Sequence, residues 1–282
     1  MQEKLEGTLE ALEARLRGAG GLLVAFSGGV DSSLVLASAL RARGADAVAA
    51  ATVTSPFHPS SELELARRTA EVLGARHLVL ELDPLSDPGL RANPPDRCYL
   101  CKRMIFGAML DLARTEGLEA VVDGSNADDQ LDFRPGHRAL RELGVRSPLC
   151  EAGFHKDEVR ELAHALGLSS WDRPAQACLA SRIPYGRELT EAGLRRVDLA
   201  EQLLHTLGLE LVRVRDHGDL ARVEVESVGF ARLFEPAARA AVVTGLGRLG
   251  YRYVTLDLEG YRTGSMNEAL DPELQQKIEG DR

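Results

Sequence analysis

The sequence predicts an α/β protein: a parallel sheet with crossover helices over residues 1–183, then a smaller α+β domain over residues 184–282. Three observations carry this. Short apolar runs alternate with helical patterns through the first part of the chain. The hexapeptide Ser27-Gly28-Gly29-Val30-Asp31-Ser32 stands between one such run and a helical run. After Pro184 the order changes to a long helix, two adjacent strands, a helix and a strand.

Taken in order, Leu5, Leu9, Leu12 and Leu16 recur at helical spacing with charges between them, which predicts an amphipathic helix and not a signal peptide. Residues 22–26 read as a strand, followed by a helix to about 43, a strand over 47–53, a helix over 60–73 and a strand over 77–82. Gly44 and Gly74 stand where helix stop signals belong. Residues 120–123 form a further strand leading into Gly124-Ser125-Asn126, and 145–149 read as a fifth. The second part reads as a helix over 190–207, strands over 210–215 and 221–226, a helix to about 249 and a strand over 251–256. Gly245-Leu246-Gly247-Arg248-Leu249-Gly250 matches the dinucleotide fingerprint, but it follows a helix and precedes a strand. The fingerprint needs the reverse order, so this is a helix end.

A chain of 282 residues with 44% hydrophobic residues suffices for two packed domains. Its net charge of -9 argues against bulk attraction to nucleic acid or an anionic membrane. No apolar run approaches the ~20 residues that cross a bilayer. The expected location is cytoplasmic, where the four cysteines serve as metal ligands or reactive thiols rather than disulfides.

The hexapeptide has the makings of a phosphate loop. Adjacent glycines take positive φ and turn backbone N–H groups toward one point, and the helix that follows presents its positive end. The Walker version needs a lysine followed by Ser or Thr, and no Gly-Lys pair occurs in this chain. A strand, Ser-Gly-Gly-x-Asp-Ser, then a helix resembles the PP-loop of the ATP pyrophosphatase superfamily, which has the adenine nucleotide α-hydrolase-like fold. In that superfamily ATP is cut between the α and β phosphates and AMP passes to an acceptor. The bland alternative is a Gly-rich turn. Ligands of such sheets bind beyond the carboxyl ends of the strands. ATP is therefore expected against Ser27, Gly28, Gly29, Asp31, Ser32 and Ser33, against Thr52, and against Gly124, Ser125, Asn126, Asp128 and Asp129. Asp31 is the expected Mg²⁺ ligand. Asp128 and Asp129 either assist it or cap a helix.

Sulfur supplies the second constellation. Cys98 and Cys101 form a Cys-x-x-Cys pair at an apparent helix start, followed by Lys102 and Arg103, and that setting is expected to lower a thiol pKa. Cys178 lies in a Pro-broken loop near the domain junction. Cys150 ends an apolar strand and reads as a core thiol. Zinc needs four ligands, and the chain offers neither a second Cys-x-x-Cys nor paired His spacing. Cys98, Cys101 and Cys178 together suit an iron-sulfur cluster with one open iron.

The stretches CYLCK, DGSNADDQLDFRPGHRALRELGVRSPL, WDRPAQACLASRIPYG, VRVRDHG and GYRTGSMNE resemble, over nearly the whole chain, the LarE family of ATP-dependent sulfur transferases. The resemblance implies a substrate, pyridinium-3,5-biscarboxylic acid mononucleotide, whose carboxylates become thiocarboxylates for the nickel-pincer cofactor of lactate racemase. It also implies a homo-oligomer, a hexamer. One LarE type gives up the sulfur of a single sacrificial cysteine, which becomes dehydroalanine. Another holds a [4Fe-4S] cluster on three cysteines and delivers an added sulfide. Cys178 matches the sacrificial position, and the Cys98 and Cys101 pair fits the cluster type better. Ser125 replaces an expected Thr and Phe133 an expected Tyr, with the chemistry unchanged.

Chemical roles follow. Adenylation turns a poor acyl electrophile into one that loses AMP, with the PP-loop stabilising the departing pyrophosphate. Arg213 and Arg215 alternate on one strand, so both guanidinium forks point to one face and are expected to grip the substrate phosphate unless that face is merely solvated. Arg182 is expected to neutralise a substrate carboxylate or to lower the Cys178 pKa. Among the seven His, only His217 is placed as a site member. The alternatives are a PP-loop tRNA thiolase, which would want a basic groove, an amide-forming synthetase, which would want an ammonia source, and a non-catalytic nucleotide-binding protein.

Overall fold

Leu22, Leu23 and Val24 are almost fully buried, the pattern of a central parallel strand covered on both faces. The structure is a computed structural model and describes residues 2–18, 20–130, 135–174, 177–262, 265–266, 268, 270–271 and 273. Phe133 and parts of three matched stretches lie outside these residues. The first part runs α1 (Gln2–Leu16), β1 (Gly21–Ala25), α2 (Val30–Arg43), β2 (Val48–Thr54), α3 (Ser60–Val72), β3 (Arg76–Glu81), α4 (Pro88–Arg91), α5 (Arg97–Thr115), β4 (Leu118–Val122), α6 (Gly136–Glu142), α7 (Pro148–Glu151) and α8 (Lys156–Ala165). Four strands pair in parallel in the order β3-β2-β1-β4. One core packs α1, α2, α3 and α8 against one sheet face, with Leu12, Leu34, Ala66 and Leu162 at its centre. Another packs Phe106, Met109 and Leu140 of α5 and α6 against the other face.

Strand order decides where a ligand fits. The chain steps outward from β1 to β2 and β3, then returns to lay β4 on the other side of β1. The loops after β1 and β4 therefore diverge at a topological switch point, beyond the carboxyl ends of the strands.

The second part runs α9 (Glu191–Thr206), β5 (Val212–Asp216), β6 (Leu220–Val225), α10 (Ser227–Phe234), α11 (Pro236–Arg248) and β7 (Tyr253–Leu256). Its sheet is mixed: β5 and β6 are antiparallel, and β6 and β7 parallel. An apolar cluster of Phe57, Leu90, Leu179, Ile183, Leu189, Leu194 and Val197 spans both sides of residue 183, so the two parts share a packed seam. No helix among the described residues is long and apolar enough to cross a membrane.

Three expectations need correction. The expected fifth strand over 145–149 reduces to a single parallel bridge between Val122 and Arg146. Pro148 has no N–H to extend a ladder and instead opens α7, so Cys150 sits in a helical turn and not at a strand end. The expected single helix to about 249 is two helices, because Pro236 holds the preceding Glu235 extended, at φ -61° and ψ 130°. The glycine fingerprint over 245–250 falls at the end of α11, as its order required.

Candidate active site

The loop between β1 and α2 is built as a cradle, with one glycine doing the turning. Gly28 has φ +75°, while Gly29 is extended at φ -74° and caps α2, so the expectation of positive φ at both glycines holds only for the first. A Cβ on Gly28 would come within 3.0 Å of Ala66 in α3. Gly29 donates its N–H to Ser27 Oγ at 3.3 Å, and Ser32 Oγ lies 3.2 Å from both Ser27 Oγ and the Gly29 carbonyl. Across the switch point, Gly124 approaches so closely that a Cβ there would stand 2.8 Å from Ser32 N. Ser33 departs from its expected role. It is fully buried with its hydroxyl unpartnered, out of reach of a nucleotide arriving from solvent.

Asp31 sits at the mouth of this cradle. Asn126 Nδ2 donates to its Oδ1 at 2.9 Å, and Lys156 Nζ pairs with its Oδ2. The neighbouring acidic residues cap. Asp129 accepts from Asn126 N at 3.0 Å. Asp128 accepts from Lys156 N at 2.7 Å and pairs with His155 Nδ1 at 2.6 Å, holding the start of α8. These bonds hold the Asp128 carboxyl below its ordinary pKa and raise that of His155. Ser125 Oγ donates to Asp123. Thr52, at the end of β2, donates to the Phe26 carbonyl at 2.6 Å and shares a 2.7 Å bond with His77 Nε2, so its hydroxyl ties strand ends together. A cavity of about 320 Å³ opens beside it, lined by Thr52, Ser55, His58, Glu62, Leu179 and Asp198 among others. Burial raises Glu62 to about 7, with Asp198 adding to the shift and Arg182 opposing it.

Cys178 begins a short 3-10 turn over Leu179–Arg182 that straps the seam between the two parts. Leu179 N donates to the Phe57 carbonyl at 2.8 Å, just beyond β2. Below the strap lies Arg97, 3% exposed, donating to the Ala180 carbonyl at 3.1 Å and stacked 5.2 Å from the Tyr185 ring. Its neighbour Cys98 is exposed at the start of α5. The three thiols are electrostatic neighbours: Cys101 feels Cys178 and Cys98, and Cys178 feels Cys98. The expected lowering of thiol pKa by the helix start and cations does not hold for Cys101. Burial pushes it to about 12, outweighing Arg97 and Lys102. Burial likewise raises Cys178, with Arg97 the leading charge pulling it down. Among the described residues, no group of three or more His, Cys, Asp or Glu is arranged to hold a metal ion. The donor chemistry of three thiols suits a cluster, but their spacing is not a formed tripod.

The arginines depart from expectation in their partners. Arg182 is fully buried and spends its fork on Glu201, with two bonds of 2.9 Å. Its remaining nitrogen donates to the Ala177 and Cys178 carbonyls at 2.7 and 3.1 Å. It therefore shapes the strap and has no fork left for a substrate carboxylate. Arg215 is paired in the same way with Glu224, at 2.9 and 2.7 Å, and reaches the Ser181 carbonyl at 3.0 Å. Every residue of β5 is buried, which excludes the solvated-face alternative. Arg213 stacks 5.1 Å from the Tyr261 ring, its pKa lowered first by burial and then by Arg182. In His217, too, burial lowers the pKa.

Comparison with known proteins bears on this geometry. The asparagine synthase family model matches residues 5–92, the span from α1 to α4 that includes the loop. An uncharacterized protein of Synechocystis sp. is 42% identical over 94% of this chain and 99% of its own. The pyridinium-3,5-bisthiocarboxylic acid mononucleotide synthase of Lactiplantibacillus plantarum is 42% identical over 92% of this chain and 93% of its own. The chain belongs to the LarE family. It is thus an enzyme with a PP-loop ATP-binding domain. A tRNA-specific 2-thiouridylase MnmA of Methylobacterium sp. is 31% identical over 68% of this chain but only 60% of its own, so the thiolase likeness covers less of either protein.

In this LarE chain, sequence reasoning missed Lys156, Arg97, Glu201 and Glu224. One signal was available for Lys156: a cation in the first turn of a helix opposes the helix dipole and so invites another use. Glu201 and Glu224 carry no such signal, because each reads as an ordinary surface charge until the tertiary fold buries it.

Proposed function

We propose that this chain uses ATP to adenylate the carboxylates of pyridinium-3,5-biscarboxylic acid mononucleotide and replaces an oxygen of each with sulfur, giving thiocarboxylates for the nickel-pincer cofactor of a lactate racemase. The observation that carries the reading is the strap bond from Leu179 N to the Phe57 carbonyl. It ties the Cys178 segment to the loop just beyond β2, on the same sheet edge as the PP-loop. Backbone N–H groups of Gly28 and Gly29, with the Ser27 and Ser32 hydroxyls, line the cradle for the departing pyrophosphate. Asp31 is the Mg²⁺ ligand, and Arg213 holds the substrate phosphate, while the Arg215 fork is already held by Glu224.

Two sulfur routes are supported by different observations. The packing of Cys101 and Cys178 on one apolar cluster, with Cys98 one helical turn from Cys101, favours these three residues as ligands of a [4Fe-4S] cluster, which when bound supplies an open iron for an added sulfide. The match of Cys178 to the family's sacrificial position favours its own sacrifice. In that route its thiolate displaces AMP to form a thioester. Loss of the Cα proton then breaks the Cβ–S bond, leaving dehydroalanine and a thiocarboxylate.

Release of AMP and pyrophosphate on adding the pyridinium substrate tests the reading. No release, with ATP binding retained, would sink it. Anaerobic reconstitution with iron and sulfide analysis, followed by mass spectrometry of the Cys178 peptide after turnover, separates the routes. Loss of one sulfur and two hydrogens marks the sacrificial one. The proposed homo-oligomer, a hexamer, is read by light scattering.

A further inference from the structure

The phosphate loop of this chain contains no lysine, yet an ammonium stands at its mouth. In a Walker loop the lysine acts as a compact charge on a flexible stem that follows the phosphates. Here Lys156 arrives from 125 positions further along the chain, and its Nζ pairs with Asp31 Oδ2. Its backbone is pinned, because the N–H donates to Asp128 Oδ2 at 2.7 Å while His155 occupies the other Asp128 oxygen. The side chain is less confined, 27% exposed on a four-carbon stem. Two forces act on that charge. The positive end of α8 repels it, and any anion in the cradle attracts it. Asp31 is the anion it has found, with Asn126 fixing the other carboxylate oxygen at 2.9 Å.

That pairing conflicts with the metal role of Asp31. An oxygen committed to an ammonium is a weaker ligand for Mg²⁺, which demands near-ideal octahedral geometry. We propose that Lys156 is a two-position lysine: it neutralises Asp31 until Mg²⁺ takes that carboxylate, then carries its charge onto the β and γ phosphates that leave as pyrophosphate. The inference rests on the reading of the loop as the ATP site. It makes metal and phosphate binding mutually dependent, since each frees a partner that the other uses. It also answers why a loop without its own lysine still stabilises a leaving pyrophosphate.

The test uses the full chain with two probes, Mn²⁺ alone and magnesium pyrophosphate alone. Lys156→Met removes the charge and keeps the stem. Mn²⁺ titration followed by electron paramagnetic resonance is expected to show about three- to fivefold tighter binding in this variant, the size of a lost partly exposed ion pair. Calorimetry is expected to show magnesium pyrophosphate binding weakened about tenfold or more, the size of a lost charge-assisted hydrogen bond. Lys156→Arg restores most of the pyrophosphate affinity, and Lys156→Gln replaces the Met variant if that one does not fold. Unchanged pyrophosphate affinity, or weaker Mn²⁺ binding in the variant, overturns the proposal. Neither probe involves the sulfur acceptor, so failure here and failure of the proposed sulfur transfer are read separately.

Discussion

Arg182→Met separates a structural arginine from a substrate-binding one. The guanidinium is fully buried, and Glu201 is 5% exposed. Removing the cation leaves the Glu201 carboxylate, among the described residues, with the 2.9 Å bond from Val214 N and the charge of Arg213. Breaking one side of a buried pair costs about 3–5 kcal/mol. The Ala177 and Cys178 carbonyls lose a donor as well, at about 1–3 kcal/mol for each one that stays buried without replacement. Because these losses share one site they are not additive, and about 4 kcal/mol is the expected destabilisation. Urea unfolding followed by circular dichroism reads it. Alkylation of Cys178, followed by peptide mass spectrometry, should accelerate as the strap loosens. In the double variant Arg182→Met with Glu201→Leu, part of the stability should return, because the buried carboxylate is gone while the Val214 N–H loses its acceptor. The reasoning is refuted if Arg182→Met costs less than about 1 kcal/mol while abolishing turnover, for then the arginine serves the substrate and not the strap.

Three further outcomes follow from the geometry. Gly124→Ala puts a Cβ 2.8 Å from Ser32 N, so calorimetry should show ATP affinity down by about tenfold or more, with a smaller loss of melting temperature. Glu62 is protonated in the fold up to about 7 but ionises near its ordinary value of 4.5 when unfolded. The folded protein therefore binds the extra proton between those values, and stability falls as pH rises through that window. Glu62→Gln should flatten this slope and gain about 2 kcal/mol at pH 8 in urea unfolding. Iodoacetamide at pH 8 should label exposed Cys98 well before Cys101 or Cys178, whose thiols burial keeps protonated, and a faster Cys178 would contradict the pKa directions.

Local signals in the sequence were enough for β1 to β4 and for α2 and α3. The PP-loop, its flanking strand and helix, and the stops at Gly44 and Gly74 depend on residues a few positions apart, and the structure has them where expected. The arginines show what local reading lacks. Val212-Arg213-Val214-Arg215 alternates like a half-exposed strand, yet all of β5 is buried because α9 covers one face and the Cys178 strap meets the other. Their partners lie across the fold: Glu201 is 19 positions from Arg182, and Ser265 is 50 from Arg215. The surroundings of Cys178 were illegible for the same reason: its loop is apparent in the sequence, but its packing against the apolar seam depends on residues far along the chain.

One short segment, residues 55–66, joins the two halves of the chemistry. Ala66 abuts Gly28 and so sets the depth of the phosphate cradle. Phe57 accepts the strap bond from Leu179, which fixes Cys178 along the sheet edge. Ser60 receives Gln202 Nε2 at 3.0 Å and donates its N–H to Asp198 at 3.4 Å, fastening α9 and with it the second part. An acyl adenylate is open to water, so the sulfur must stand close before the adenylate forms. For the proposed reaction, holding loop, strap and α9 on one segment meets that need. Arg182 adds to the same hold, because it donates to the Ala177 and Cys178 carbonyls of the strap that this segment positions.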